Sequence, residues 1–453
     1  VPRVAIVRLS VAALLVAAAL IAGCATSGPL SRFTTPASPH EGYLATLTAS
    51  GLSETALGRD WLAAGALAVQ RPVSAASPFQ ETGYFPPAIP SATAYRLDLS
   101  RGRRLSLEVT MEASAPTQVF VDLFALRGEA PPERVASLAA NATTLVYDVP
   151  RDGSYVVRVQ PELLRGGRYT ITERTLASLA FPVQGLTASA VQSQFGAQRD
   201  AGRREHEGID IFAPRGTPVV AVSAGIARTD TNGLGGNVVW VRDARRTYYY
   251  AHLDRWETEG VRTIAAGTVL GYVGNTGNAR TTAPHLHFGI YEGSAIDPLP
   301  FLAPDDAPPD PAPTDTSRLG TTVRTAQARV PLRPGATRTP AAATVLPQGT
   351  IAQVVGQTVT AYRLHLPDGS TGYVDRRAVT PGGTPWRRER LQAGALLREC
   401  PSATAPVIET LDEPRQADVL GTFGTFRLVR VGDALEGWVG DGSLGGPAAI
   451  ENE

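Results

Sequence analysis

The sequence predicts a mainly β protein assembled from several antiparallel units. Three observations carry that reading. The 453 residues include 45 glycines and 36 prolines but only 7% aromatic residues, a balance that favours turn-rich sheets over long helical bundles. Apolar residues recur with a period of two in short runs separated by Gly and Pro. A unit of about 65 residues occurs twice near the C-terminus. This length suggests about two to four domains, and a hydrophobic content of 43% can fill their cores.

The chain opens VPRVAIVRLSVAALLVAAALIAGC, residues 1–24. Arg3 and Arg8 precede an apolar run too short for a membrane-spanning helix, so residues 1–23 read as a secretory signal. The closing IAGC resembles the bacterial lipobox. That resemblance implies acylation of Cys24, which anchors a protein to a membrane without spanning it. Ala25 is similar to the outer-membrane sorting pattern of Gram-negative lipoproteins, which implies a periplasm-facing protein of the cell envelope. Cys400, the second of two cysteines, is then expected to be a small packed residue. Residues 24–76 read as a Ser/Thr/Pro tether and one amphipathic packing helix, with Leu57, Trp61, Ala64 and Ala68 at helical spacing over 53–69.

Over 77–182, Tyr95, Leu97 and Leu99 alternate, SRGRR (100–104) turns the chain, and Leu105, Leu107 and Val109 alternate again. VFVDLFAL, SYVVRVQ and GRYTITE follow between Gly and Pro clusters. The region predicts an antiparallel β-sandwich. Residues 183–302 form a further β domain. Residues 303–318, APDDAPPDPAPTDTSR, read as an extended, semi-rigid linker. Beyond it, LR at 332 and 397, VVG and VLG at 354 and 419, YRL and FRL at 362 and 426, and GYV and GWV at 372 and 437 mark the tandem repeat. Its copies, 319–382 and 387–447, resemble bacterial SH3-like domains. That resemblance implies small β-barrels that bind cell-wall peptides or pack against a neighbour.

Basic and acidic residues balance at 42 each, and every base is arginine. No basic stripe is present to hold phosphates, which argues against a nucleic-acid partner.

Four of the six histidines lie within 183–302. In TTAPHLHFGIYE (281–292), Leu286, Phe288 and Ile290 alternate with His285 and His287, so a strand would show both imidazoles on one face. His252 closes YYYAHL (248–253). HEGID (206–210) opens like the helical zinc signature HExxH but ends in Asp210 and runs into a strand pattern. In a straight strand His206 and Asp210 would lie about 13 Å apart, so the chain must curl between them, and Gly208 permits that. Three nitrogen or oxygen ligands with a fourth position open make a catalytic rather than a structural zinc site. Two further histidines remain for proton transfer. Tyr250 is expected to pack rather than to hold an oxyanion.

HEGIDIFAPRGTPVVAVSAGIA, YYYAHLD and GYVGNTGNARTTAPHLHF together resemble the lysostaphin-type (LytM-like) zinc peptidases of bacterial cell walls, over residues 193–292. The resemblance implies a small, mostly antiparallel β fold with the substrate extended in a groove. It implies one Zn2+ held by His206, Asp210 and His287, with His252 and His285 flanking the attacking water as general base and transition-state stabilisers. The implied activity is endopeptidase cleavage of peptidoglycan cross-links, in a Gram-negative envelope at the D-alanyl–meso-diaminopimelyl bond. Peptidoglycan, the membrane through Cys24 and other wall hydrolases are the implied partners. Some domains of this type are catalytically silent activators of wall amidases, but those usually lack several ligands, and all five site residues are present here. The chain departs from the pattern at Gly289, where the family often has an acid or Gln, and at NARTTA (278–283), which is less Gly-rich. Both departures bear on substrate preference.

Overall fold

The computed structural model describes residues 38–199, 202–336 and 344–443. Cys24, the signal segment and most of the tether lie outside the described residues. Among the described residues, no helix is long and apolar enough to cross a membrane.

The alternation of Tyr95, Leu97 and Leu99 forms strand Thr93–Leu99, and that of Leu105, Leu107 and Val109 forms Arg103–Glu112. Gly102, at φ 86°, lies in the turn between them. Thr93–Leu99 belongs to a five-stranded sheet with Val73–Ser74, Gly153–Pro161, Val119–Ala125 and Glu133–Ser137. Arg103–Glu112 lies in a second sheet, between Thr144–Asp148 and Gly167–Ala177, with Phe79–Phe85 beyond. Tyr95, Leu97, Val121, Leu123 and Val157 of one sheet meet Phe85, Leu105, Leu107 and Ile171 of the other in a single core. The result is the sandwich that the alternation predicts, antiparallel except where Val73–Ser74 pairs parallel with Thr93–Leu99.

Two helices cover the outer face of the first sheet. Pro39–Ala49, absent from the sequence reading, starts at a capping box between Ser38 and Glu41. Ala56–Gln70 follows, capped by Thr55. Trp61 and Ala68 pack inward, but Leu57 is 40% exposed. Gly58 and Gly65 take the contact face instead. A Cβ on Gly65 would meet Gln160 Oε1 at 2.5 Å, so a larger residue there would have to displace the buried Gln160 side chain.

The second sheet continues beyond the sandwich. Phe79–Phe85 also pairs with Ile351–Gln357, which is followed by Ala361–His365 and Thr371–Asp375. One nine-stranded sheet therefore runs from the sandwich into the first repeat copy. Glu81, fully buried at the junction, accepts from Arg363 Nε at 3.0 Å and from the Tyr95 and Tyr373 hydroxyls at 2.6 Å each.

Segment 303–318 is fastened along this sheet. Asp306 accepts from Thr175 N and Asp305 from Ala177 N, both at 2.8 Å, and Gln357 Nε2 donates to Asp315 O at 2.9 Å. The two repeat copies share a structural signature: each carries a register shift at the matching place, between Val354 and Gly356 and between Val419 and Gly421. Strand pairing in the second copy follows an open path of six strands, so closure into a barrel is not seen among the described residues. Cys400 is exposed, contrary to expectation, because it falls in the turn after strand Leu396–Arg398 and not on a buried strand face.

Residues 183–302 supply a ten-stranded sheet with a separate core of Ile209, Ile211, Tyr248, Tyr250, Leu253, Leu286, Phe288 and Ile290 among others. Strand His285–Glu292 runs antiparallel to Ile209–Phe212 on one side and to Thr247–Trp256 on the other. The candidate site is built on and beside these three strands.

Candidate active site

In His285–Glu292, Leu286, Phe288 and Ile290 fill the core, so His285 and His287 face the opposite side. The register sets Asp210 directly across from His287. His206 precedes the Ile209–Phe212 strand, and the chain bends at 207–208. Gly208 is not among the glycines with positive φ, so the curl does not depend on left-handed backbone. What Gly208 supplies is space. A Cβ there would meet Phe288 O at 2.5 Å and His287 Cε1 at 2.8 Å.

Three donor atoms converge. His206 Nε2 lies 3.0 Å from Asp210 Oδ1 and 2.9 Å from His287 Nδ1, and His287 Nδ1 lies 3.0 Å from Asp210 Oδ1. These cannot all be good hydrogen bonds. His206 Nδ1 is 2.9 Å from Gln194 O, which can only accept, and 3.2 Å from Arg199 Nη2, whose two protons go to Asp210 and Ser193 at shorter range, so Nδ1 carries the ring proton. His206 Nε2 is then a lone pair aimed at a carboxylate oxygen and a second imidazole. A single proton on His287 Nδ1 serves two acceptors poorly, whereas one cation satisfies all three atoms. Ligands about 2 Å from a tetrahedral zinc lie about 3.3 Å apart, close to the observed triangle. The residues present therefore fit a metal ion, and they form the one such group among the described residues.

The electrostatics agree with that fit. Burial alone would raise the Asp210 carboxyl, but hydrogen bonds and charge from His206 and His287 outweigh it and hold the group well below the usual carboxylate range. Burial lowers the His287 imidazole despite the opposing pull of Asp210, which favours the neutral, ligating form.

His252 reaches the site by breaking its strand's pattern. Tyr248, Tyr250 and Leu253 face the core, and strict alternation would send His252 there with Tyr250. Instead the register slips opposite, between Asn237 and Val239. His252 adopts φ 62°, a left-handed value rare outside glycine. Ala251 and His252 consequently both line the cleft. His252 Nδ1 donates to Thr276 O and His285 Nδ1 to Ala283 O, each at 2.9 Å. Both Nε2 atoms are left as lone pairs. The two rings are 5.0 Å apart, and His252 is 6.0 Å from His287. Burial, then the neighbouring His285 and His287, push the His252 imidazole down to about 4.

All five residues line one cleft of about 1030 Å³, whose walls among the described residues come from 192–291. Neither the Ala56–Gln70 helix nor the sandwich enters it. Four aromatics line the cleft, Phe212, Trp240, Tyr249 and Tyr291, and only Tyr291 is placed by the sequence pattern. Tyr249 packs at a tilt against Trp240 with centroids 4.2 Å apart, and Tyr291 lies 5.9 Å from Trp240. Gly289 leaves room for this group, since a Cβ there would meet Tyr291 Cε2 at 3.1 Å. Tyr291 was legible by the alternation that exposes His287. Trp240 is revealed only by its register opposite Tyr249. Arg199, also unforeseen, donates from Nη2 to Asp210 Oδ2 at 2.6 Å. Tyr250 is buried in the core, where its hydroxyl oxygen accepts from Val222 N, so it packs as expected.

Comparison with known proteins points the same way. Residues 204–298 match Peptidase family M23. The chain is 36% identical over 143 residues to the L-Ala–D-Glu endopeptidase of Bacillus subtilis, covering 28% of this chain and 44% of that protein. It is 35% identical over 131 residues to the DD-carboxypeptidase/endopeptidase Mpg of Neisseria meningitidis, covering 27% and 30%. The chain thus spans less than half the length of these relatives. The catalytic domain of the antimicrobial peptidase lysostaphin from Staphylococcus simulans is 33% identical over 24% of this chain and 88% of that one, with a TM-score of 0.22. The stretch that holds the five clustered residues matches Peptidase family M23, and the chain is similar there to lysostaphin-type enzymes.

Proposed function

We propose that this chain is a zinc-dependent endopeptidase that hydrolyses peptide cross-links of peptidoglycan. The observation that carries the reading is the His206–Asp210–His287 donor set beside two proton-accepting imidazoles in one open cleft. The relatives' names specify different bonds, L-Ala–D-Glu in one and a DD bond in another. Family membership therefore supports the reaction type, and the D-alanyl–meso-diaminopimelyl bond is our choice for this chain.

His206 through Nε2, Asp210 through Oδ1 and His287 through Nδ1 would hold the zinc. When bound, zinc supplies a Lewis acid that polarises a carbonyl and makes water nucleophilic near neutral pH. His252 and His285, each with Nδ1–H anchored on a backbone carbonyl, offer Nε2 as the base that takes the water's proton. A positioned base contributes about 10²–10⁴-fold. The proton then passes to the departing amine, while the second imidazole stabilises the charge that develops. Trp240, Tyr249 and Tyr291 shield one wall of the cleft from water.

The IAGC motif supports an anchor at Cys24, with the protein facing the periplasm from the outer membrane. The sandwich (77–182), the linker (303–318) and the SH3-like copies (319–382 and 387–447) would hold the 183–302 domain at the wall, alongside other wall hydrolases.

The test is digestion of cross-linked muropeptides by the unlipidated chain, with and without a zinc chelator, read by mass spectrometry. Chelator-sensitive conversion of dimers to monomers is expected, with new termini at D-alanine and diaminopimelate. Intact dimers after incubation with zinc-loaded protein would sink the enzyme reading and favour a silent activator of wall amidases.

A further inference from the structure

Asp210 has two carboxylate oxygens, and Oδ1 is the one that meets His206 and His287. Oδ2 is taken by Arg199 Nη2 at 2.6 Å. The second proton of that amino group goes to Ser193 Oγ at 2.5 Å. Ser193 is itself fixed, because its strand pairs it with Asp210. The same stretch of chain steadies His206. Gln194 O accepts the Nδ1 proton, Gly196 N donates to His206 O, and His206 N donates to Ala197 O, each at 2.9 Å. Residues 193–199 therefore hold the outer atoms of two of the three donors. Arg199 and Ser193 lie outside the matched family segment, 204–298.

A carboxylate can bind a metal through one oxygen or two. Three protein ligands leave a four-coordinate zinc one open position, and a second carboxylate oxygen would fill it. The charge-assisted bond from a guanidinium to Oδ2 ties that oxygen away from the centre. We infer that Arg199 is a positioning residue that keeps Asp210 a one-oxygen ligand and so keeps the fourth position free for the reaction. The inference rests on the zinc reading above. The guanidinium charge also offsets that of Asp210, so more of the cation's field reaches the open position.

The experiment loads the full chain with Co2+ alone and records its visible absorption, which weakens as coordination number rises. Arg199→Ala and Arg199→Gln are expected to retain one metal per chain, with bands weaker by about twofold or more. Turnover should fall about 10–100-fold, as for other residues that orient a ligand. Arg199→Lys should recover part of the band, since an ammonium still donates to Oδ2 but without the planar fork. Ser193→Ala loosens Arg199 without touching Asp210, and a smaller change in the same direction is expected even if the Arg199 variants do not fold. Unchanged bands in folded Arg199 variants and in Ser193→Ala overturn the inference and leave the zinc reading standing. Failure of the wild-type chain to take up cobalt overturns the zinc reading itself.

Discussion

Gly208 sits where one methyl group decides the geometry of the site. Its missing Cβ leaves room for the His287 ring and the Phe288 carbonyl. Gly208→Ala should therefore displace His287 and weaken zinc binding about 10–100-fold, a loss typical when a ligand's support is disturbed, while the core strands stay folded. Competition with a chromogenic chelator measures this, and an unchanged affinity would contradict the account. The glycine was legible in HEGID, but its reason was not, because the atoms it accommodates come from residues 287 and 288. The paired imidazoles of His285 and His287 followed from alternation alone. His252 did not, since its strand's alternation points it to the core and only the slip against Asn237–Val239 turns it outward.

Among the elements, the 303–318 segment departs furthest from its composition. Pro and Asp spell a spacer, yet the carboxylates find partners on strand Gly167–Ala177. Sequence cannot show those partners, because they lie over a hundred residues away. The same strand carries Glu173, 1% exposed, which takes one hydrogen bond from Ser77 at 3.0 Å while Oε2 has none. Burial raises this carboxyl to about 7, against the Ser77 bond and with the charge of Asp306. Between its ordinary 4.5 and about 7, the folded chain keeps a proton that the unfolded chain has released. Stability is therefore lost as pH rises through that window, and the penalty is complete above it. Glu173→Gln should remove the slope and raise the melting temperature at pH 8 more than at pH 5. Equal shifts at the two values would rule this out. The Pro39–Ala49 helix was missed although its Ser38–Glu41 capping box stands in the sequence, because its face lacks a clear apolar stripe.

For the whole molecule, the tandem repeat was readable as two copies, but not that the first shares a sheet with the sandwich. Glu81 and Arg363, the ion pair at that junction, stand 282 residues apart in the chain. Both are nearly or fully buried, so removing one partner strands the other's charge. Arg363→Ala should destabilise this unit by about 3–5 kcal/mol. The sandwich and the first copy should unfold in one transition, in the wild type and in the variant. Calorimetry that resolves two transitions for them in the wild type would refute a shared unit.

The central claim is a division of labour: three residues hold a metal and two move protons. Metal content, measured by mass spectrometry on the purified chain and its alanine variants, tests it most directly. The account predicts about one zinc per chain in wild type, His252→Ala and His285→Ala, with turnover in both variants down about 10²–10⁴-fold. It predicts little zinc in His287→Ala. Full zinc in His287→Ala, or its loss in His252→Ala, would contradict the assignment.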